Sequence, residues 1–447
     1  MTGIGDALRR AGLGAHAAEK KTVLFEKGAR ALRDLRGEPA REPAACYVPG
    51  RLEFVGKHTD YAGGRSLVCA IERGICFVAI PRRDAAVRVV DADRGSIVTA
   101  GLDAEPRSAP GDWSAFVATV VRRLARDFSA RTGADIACAS DLPRASGMSS
   151  SSALVTGIFL VLSHANGLAA TQRYRDAIRG REDLASYLAA VESGAAFGPF
   201  TGDPGVGTHG GSEDHVAMLC SRAGRLRQYA FCPVRFERDV PLPDRWRFVI
   251  AASGVAADKT AGARAAYNHA ADAARAIAAL WPRSPGESAV PLGTILASNP
   301  DAAAALRDAV QRSTAGPYAA PLLLDRLAQF EEESVRLVPA AAAALEQADA
   351  SSLGAAIDRS QHLAETLLGN QVPETVALAR SARRLGAFAA SAFGAGFGGA
   401  VWALVEADDA ARFEHAWAGE YHQRFPGRAA GSEFFSSGAG PGVVSLM

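Results

Sequence analysis

The stretch that decides the fold reads Asp141-Leu-Pro-Arg-Ala-Ser-Gly-Met-Ser-Ser-Ser-Ser-Ala153. It follows a predicted strand, Gly133 to Ser140, and opens a predicted helix, Ser149 to Asn166. Small residues let backbone N–H groups approach a ligand, and a helix N-terminus presents unpaired donors and a partial positive charge. The stretch therefore predicts a phosphate-binding turn, with a serine-rich helix cap as the alternative. It is not a Walker A loop, because it contains no Gly-Lys-Ser/Thr.

A second glycine-rich stretch lies near the other end of the chain and reads Gly394-Ala-Gly-Phe-Gly-Gly399. It matches the dinucleotide-binding pattern GxGxxG formally. That pattern must follow a strand and open a helix, whereas here the glycines precede a predicted strand, Ala400 to Glu406. A glycine-rich turn against a ligand, or a tight packing turn, fits better.

Two further stretches combine glycine with ionisable side chains. The first reads Pro49-Gly-Arg-Leu-Glu-Phe-Val-Gly-Lys-His-Thr-Asp-Tyr-Ala-Gly-Gly64, and so many polar groups beside strands indicate recognition of a polyhydroxylated ligand, or else an exposed hairpin. The other, Gly210-Gly-Ser-Glu-Asp-His215, follows a glycine-rich loop over 198–212. A metal site of His209, Asp214 and His215 is a weak interpretation there. An acid–base role for Asp214 is as plausible as a solvated turn.

The composition excludes several classes of protein. The chain has 447 residues, 48% of them hydrophobic, and a formal net charge of +1, so it lacks the basic surface that nucleic acids or anionic lipids attract. Six cysteines are too few for a disulfide scaffold in a chain of this length. The longest apolar run, Ala153 to Leu162, is too short to span a bilayer. We expect a cytoplasmic protein with no nucleic-acid or membrane partner, present as a monomer or weak homodimer.

The pattern of elements changes along the chain. Residues 5–36 read as one helix, strand signals alternate with helices up to about residue 250, and the chain is then Ala-rich and helical to about Ala390. A last unit of helix and strand begins at Ala387. The predicted domains are therefore 1–245 and 246–447.

In chain order, the stretches 49–64, 141–153 and 394–399 resemble the three motifs of the GHMP kinases. The stretch 49–64 is similar to the galactokinase version of the first motif, Gly-Arg-x-Asn-Leu-Ile-Gly-Glu-His-Thr-Asp-Tyr. The resemblance implies an α+β, two-domain GHMP kinase fold, with an N-terminal domain like domain 2 of ribosomal protein S5 and a ferredoxin-like C-terminal domain. The active site would lie in the cleft between the domains, and the partners would be ATP, Mg²⁺ and a sugar.

The resemblance also assigns roles to residues. The ATP-binding residues would be Ala145, Ser146, Gly147, Met148, Ser149, Ser150, Ser151 and Gly396. Ser151 and Glu192 would bind Mg²⁺, Asp214 would be the catalytic base, and Arg51 would lie beside the transferred phosphate. The residues that contact the sugar would be Lys57, His58, Thr59, Asp60, Gly211 and Tyr267.

Three departures from the galactokinase pattern bear on these roles. Lys57 stands where galactokinases have a Glu that contacts the O6 end of the sugar, so the substrate is either a sugar with a carboxylate or a changed C6, or still galactose with Lys57 pointing away. The interval from Glu192 to Asp214 is longer than usual. Glu213 and His215 replace the usual Met and Gln.

The expected reaction is transfer of phosphate from ATP to the anomeric hydroxyl of a monosaccharide, with galactose first and arabinose, galacturonate or N-acetylgalactosamine as alternatives. A sensor that binds sugar and ATP without turnover is the alternative from another class.

Overall fold

The computed structural model describes residues 3–37, 43–103, 113–257, 262–284, 286–287, 289–313 and 316–447. The chain begins with two helices, α1 (Ile4–Arg10) and α2 (Ala15–Arg36), where the sequence predicted one. The break falls at Gly12, whose φ is +100°, and a Cβ there would lie 2.4 Å from the Ala223 Cβ. The chain must turn at this point to pass residue 223.

A nine-stranded sheet carries the first half of the chain. Its first seven strands are β1 (Ala44–Val55), β2 (Arg65–Pro81), β3 (Ala86–Asp91), β4 (Ile97–Gly101), β5 (Ala134–Ser140), β6 (Arg225–Ala230) and β7 (Arg235–Pro241). Between these strands run α3 (Ser114–Phe128), α4 (Ser150–Ala165), α5 (Gln172–Ala177), α6 (Arg181–Ser193) and α7 (Glu213–Cys220). Helix α7 was not predicted from the sequence.

Helix α4 packs closely on the central strands β1 and β2. The approach requires glycine at position 157, because a Cβ there would lie 2.1 Å from the ring of Phe77 on β2. Buried Val155, Ile158 and Phe159 belong to the same core as the strands. This close packing fixes the position of the N-terminus of α4 relative to the sheet.

A second, four-stranded sheet has the order β11-β8-β10-β9. Its strands are β8 (Trp246–Ala252), β9 (Ala389–Phe393), β10 (Ala400–Glu406) and β11 (Glu433–Ser437). The helices of this half are α8 (Gly262–Ala279), α9 (Leu292–Ser298), α10 (Ala302–Arg312), α11 (Ala320–Glu331), α12 (Val338–Glu346), α13 (Ala350–Leu363), α14 (Pro373–Arg384) and α15 (Ala410–Arg424). π-Helical turns at Glu332–Leu337 and Ala364–Leu368 follow α11 and α13.

The two sheets share a core. Phe54 on β1 stacks on Trp402 on β10 with ring centroids 4.4 Å apart. The last two strands, β12 (Ala439–Gly440) and β13 (Val444–Ser445), return to the larger sheet and pair with β2 and β1. These residues therefore depart from the predicted division, which assigned all of 246–447 to the second domain.

No described helix is both long enough and apolar enough to cross a membrane. All six cysteines are unpaired, and five of them are buried.

Candidate active site

The predicted phosphate turn lies between β5 and α4. Ala145, Gly147 and Ser149 have φ angles of 46°, 73° and 57°, so the chain reverses sharply before α4 begins at Ser150. The turn is anchored at Asp141, whose carboxylate accepts hydrogen bonds from the Gly74 backbone N–H at 2.8 Å and from the buried Lys21 ammonium. The first N–H groups of α4 are thereby presented at a cleft.

This outer cleft is lined by Ala145, Gly147, Ser149, Ser150 and Ser151, among others. Two of the ATP-binding residues predicted in this turn, Ser146 and Met148, do not line the cleft. The Ser146 hydroxyl donates back to the Pro143 carbonyl at 2.7 Å, and Met148 is 1% exposed. Their side chains support the turn rather than face the cleft.

The glycine-rich stretch 394–399 is the turn between β9 and β10. Gly394 lies against the phosphate turn, since a Cβ there would be 2.7 Å from the Gly147 carbonyl oxygen and 3.0 Å from Arg51 Nη2. Gly396 lines neither the outer cleft nor the inner cavity behind it. It packs on Asn370, because a Cβ at this position would lie 2.3 Å from the Asn370 carbonyl oxygen. The predicted contact of Gly396 with ATP therefore has no support in this structure, and the turn serves close packing.

An inner cavity lies behind the outer cleft. Its charged lining residues come from β1, the segment after β1, α6 and α7. They are Arg51, Glu53, Asp60, Glu192, Glu213 and Asp214.

Arg51 and Asp214 meet where the inner cavity adjoins the outer cleft. Arg51 Nε donates to Asp214 Oδ1 at 2.6 Å, and Arg51 Nη1 donates to the Gly147 carbonyl of the phosphate turn. Arg51 lines both spaces. Burial by itself lowers the pKa of the Arg51 guanidinium, but Asp214 and Glu213 hold that pKa above its ordinary value. The junction therefore carries a fixed positive charge beside a carboxylate.

His58 lies in the inner cavity as a neutral ring. Its Nε2 is 3.0 Å from the Ala395 carbonyl, which can only accept, so Nε2 carries the proton and Nδ1 accepts from the Tyr61 hydroxyl at 3.0 Å. Burial and, secondarily, Arg326 lower the pKa of His58 to about 3. Tyr267 on α8 closes the cavity, with its ring centroid 5.1 Å from that of His58.

Asp60 and Gly211 line the cavity together. Asp60 Oδ2 accepts the Glu213 backbone N–H at 3.1 Å, and burial raises the pKa of Asp60. Position 211 must be glycine, because a Cβ there would lie 2.3 Å from Asp60 Oδ2. This close approach leaves the Asp60 carboxyl at the wall of the cavity.

Two predicted sugar ligands do not line the cavity. Lys57 is 1% exposed, and its Nζ donates to Ser360 Oγ on α13 at 2.7 Å. The Ser360 hydroxyl donates in turn to the Glu333 carboxylate at 2.8 Å, which compensates the buried ammonium. Thr59 is fully buried, and its hydroxyl lies 2.8 Å from both the Gly56 and Arg65 carbonyls. These two residues shape the segment between β1 and β2.

The predicted metal ligands lie on opposite sides of Ser152. Ser151 lines the outer cleft and Glu192 the inner cavity. Ser152 Oγ donates to Glu192 Oε2 at 2.7 Å and lies 3.3 Å from Asp214 Oδ2. The described residues contain no group of three His, Cys, Asp or Glu that could hold a metal. Mg²⁺ that is shared with substrate phosphates needs only one or two protein oxygens, so a carboxylate and serine hydroxyls fit it.

The alternative metal site of two histidines and Asp214 does not form. His209 Nδ1 is 3.0 Å from Asp272 Oδ1 on α8, whereas His215 Nε2 is 3.1 Å from Glu192 Oε2. The two rings therefore face different partners.

Glu53 and Trp113 are among the lining residues that were not predicted. Glu53 lines the inner cavity, and Trp113 lines the outer cleft at the start of α3. An aromatic residue at the start of an amphipathic helix could have identified Trp113, whereas Glu53 gave no signal beyond its place in a strand. Ser152, whose hydroxyl the serine run offers as a further donor or Mg²⁺ ligand, lines the inner cavity.

Three family models match the chain. They are described as "Galactokinase galactose-binding signature" over residues 36–81, "GHMP kinases N terminal domain" over 115–199 and "GHMP kinases C terminal" over 341–423. A galactokinase from Roseiflexus sp. is 30% identical over 84% of this chain and 86% of its own length. One from Chloroflexus aggregans is 30% identical over 89% of this chain and 92% of its own length.

The solved structure of Lactococcus lactis galactokinase complexed with galactose matches with a TM-score of 0.74. The match covers 95% of this chain and 99% of that one at 20% identity. Fold and site motifs together define a GHMP kinase. Within that class, the chain belongs to the galactokinase family. The predicted membership and the α+β GHMP kinase fold are thereby confirmed.

Proposed function

We propose that the chain transfers the γ-phosphoryl group of ATP to the anomeric hydroxyl of galactose, giving galactose 1-phosphate and ADP. The observation that carries the proposal is the 2.6 Å contact of Arg51 Nε with Asp214 Oδ1 at the junction of the inner cavity and the outer cleft. A sugar in the cavity and ATP phosphates on the turn would meet there. The relatives named galactokinase support galactose as the sugar.

Asp214 would accept the proton of the anomeric hydroxyl as that oxygen attacks phosphorus. Phosphoryl transfer depends mainly on positioning and on neutralising charge, and general-base assistance contributes about 10²- to 10⁴-fold. Arg51 would stabilise the negative charge of the transferred group, since it is fixed by Asp214 and by the Gly147 carbonyl. The N–H groups at the start of α4 would bind the other phosphate oxygens.

Ser151 and Glu192 would hold Mg²⁺. When bound, the ion supplies neutralisation of the β- and γ-phosphate charge. Ser152 Oγ lies between the two carboxylates, with its proton on Glu192 at 2.7 Å and Asp214 Oδ2 at 3.3 Å.

The position of Lys57 bears on the choice of sugar. Replacement of an acidic residue by Lys57 favours a uronic acid, yet the Lys57 ammonium is bound to Ser360 and does not face the cavity. This favours galactose over galacturonate. The position of Lys57 does not distinguish galactose from arabinose or N-acetylgalactosamine, so both belong in the same test.

The test is sugar-dependent release of ADP from Mg-ATP with galactose, arabinose, galacturonate, glucuronate and N-acetylgalactosamine. We expect galactose to give the highest kcat/KM. Asp214→Asn should lose about 10²- to 10⁴-fold in kcat. Asp408→Asn, at an exposed aspartate far from the site, is the matched control and should keep the wild-type rate.

Two outcomes would overturn the proposal. If ATP and a sugar bind but no ADP is released, the chain is a sensor. If another sugar wins, the galactose assignment is wrong, although the phosphotransfer assignment stands.

A further inference from the structure

Two carboxyl groups that this mechanism does not use lie in the wall of the inner cavity. Glu53 is on β1, two positions after Arg51, and Glu213 is the first residue of α7, directly before Asp214. Both residues are 4% exposed. The galactokinase motifs carry Asn and Met at these positions, so the two acids are a feature of this chain.

Glu53 and Glu213 line the same wall of the cavity, where each lies in the field of the other's negative charge. Two buried carboxyl groups that repel each other do not both ionise readily, so the two together retain one proton. No N–H or hydroxyl of the described residues donates to Glu53 Oε1, and the Glu213 carboxyl receives the Ser66 hydroxyl at 2.5 Å on Oε2. We refer to Glu53 and Glu213, which together hold this proton, as the carboxyl pair.

The surrounding charges favour retention of the proton. Asp60 and Asp214 also line this wall, so carboxyl groups outnumber cations there. The cation that lies among them is Arg51. Burial raises the pKa of Glu53 to about 7, and burial with repulsion from Glu53 and Asp60 raises the pKa of Glu213 well above its ordinary value. The other titratable or charged groups that face the pair are Lys57, Tyr267 and Glu333.

We propose that the carboxyl pair positions Arg51 and that loss of its proton sets the alkaline limit of activity. Glu213 Oε1 lies 3.9 Å from Arg51 Nε, which donates to Asp214. While the pair holds its proton, it carries one negative charge and Arg51 stays on Asp214. When the pH rises and the proton leaves, the second negative charge competes with Asp214 for the guanidinium. It also adds repulsion next to the transferred phosphate. This inference rests on the proposed function.

The experiment compares kcat and KM across about pH 6 to 10 for the wild type, Glu213→Gln and Glu53→Gln. In either variant a neutral amide replaces one carboxyl group, so the pair keeps one negative charge with no proton to lose. We expect wild-type kcat to fall on the alkaline side. In each variant that fall should move upward by at least about one pH unit. A merely structural role would lower the rate equally at every pH, and an unmoved alkaline fall in folded variants would overturn the proposal.

Infrared spectroscopy tests the pair without turnover. The wild-type minus Glu213→Gln difference spectrum should contain a protonated-carboxyl band at neutral pH that disappears on the alkaline side. If Glu213→Gln does not fold, Glu53→Gln replaces it, and the wild-type pH titration alone gives the band. Absence of any such band at neutral pH would overturn the carboxyl pair, whereas a present band with no sugar turnover would overturn only the kinase assignment.

Discussion

Arg51 Nε and Asp214 Oδ1 lie 2.6 Å apart although 163 positions separate the two residues in the chain. Strand β1 of the larger sheet brings the arginine, and the first turn of α7 brings the aspartate. The same guanidinium reaches the Gly147 carbonyl, so the base, the cation and the phosphate turn form one unit. Changes to the arginine should therefore affect the chemical step more than substrate binding.

Arg51→Lys should lower kcat by about 10²- to 10³-fold and change the KM for ATP far less. Lysine keeps the charge but cannot bond Asp214 and Gly147 at once, because it lacks the planar fork of the guanidinium. Steady-state kinetics measure the effect. Arg412→Lys, at an exposed arginine paired with Asp409, is the matched control. Equal kcat in Arg51→Lys and the control would contradict the assigned role.

Lys57→Glu should destabilise the protein by about 3–5 kcal/mol, because it replaces a compensated ammonium with a carboxylate beside Glu333. Urea unfolding at neutral pH measures the change. Lys57→Met, which removes the charge without reversing it, should lose less. The ratio of kcat/KM between galactose and galacturonate should stay at the wild-type value, and a shift toward another sugar would mean that position 57 does sense the substrate.

Gly211→Ala should raise the KM for the sugar by about tenfold or more, because the new methyl group would lie 2.3 Å from Asp60 Oδ2 and displace that carboxyl. The KM for ATP should change little. Gly419→Ala on α15 is the control, since a Cβ there meets no atom within 4 Å. A wild-type sugar KM in Gly211→Ala would show that Asp60 does not contact the substrate.

Acid should destabilise the fold through His58. Its pKa is about 3 in the folded chain against an ordinary value of 6.5, so the unfolded chain binds the proton more tightly. The contribution of the neutral ring is complete above about pH 6.5 and is lost as the pH falls toward 3. Between pH 7.5 and 5, the unfolding free energy of the wild type should fall by about 2 kcal/mol more than that of His58→Gln.

Glutamine at position 58 can still donate to the Ala395 carbonyl, which makes it the conservative choice. His16→Gln, at an exposed histidine, should follow the wild type. If the unfolding curves of His58→Gln also follow the wild type at both pH values, the ring is not held neutral.

Local patterns were sufficient for the elements that define the phosphate turn. The predicted helix Ser149 to Asn166 is α4 to within a residue at either end, and the predicted strand Ala400 to Glu406 is β10. Both depend on features that neighbours in the chain supply, namely apolar spacing, a serine start and a glycine-rich turn. The match of Asp214 to the family motif also led to a residue that does meet Arg51.

Side-chain direction could not be predicted in the same way. Lys57 turns toward Ser360, which lies 303 positions further along the chain, and no pattern near residue 57 contains that information. The break at Gly12 likewise depends on Ala223. Glu53 and Glu213 line one cavity because α7 packs on β1, and no pattern near either residue contains that information.

The return of β12 and β13 to the larger sheet has a consequence for synthesis on the ribosome. Strand β1 pairs with β13, so one flank of β1 remains open until residues 444 and 445 have emerged. The larger sheet cannot be completed before these residues are made, even though its other strands are made earlier. Until then a nascent-chain chaperone would find part of that edge of β1 accessible.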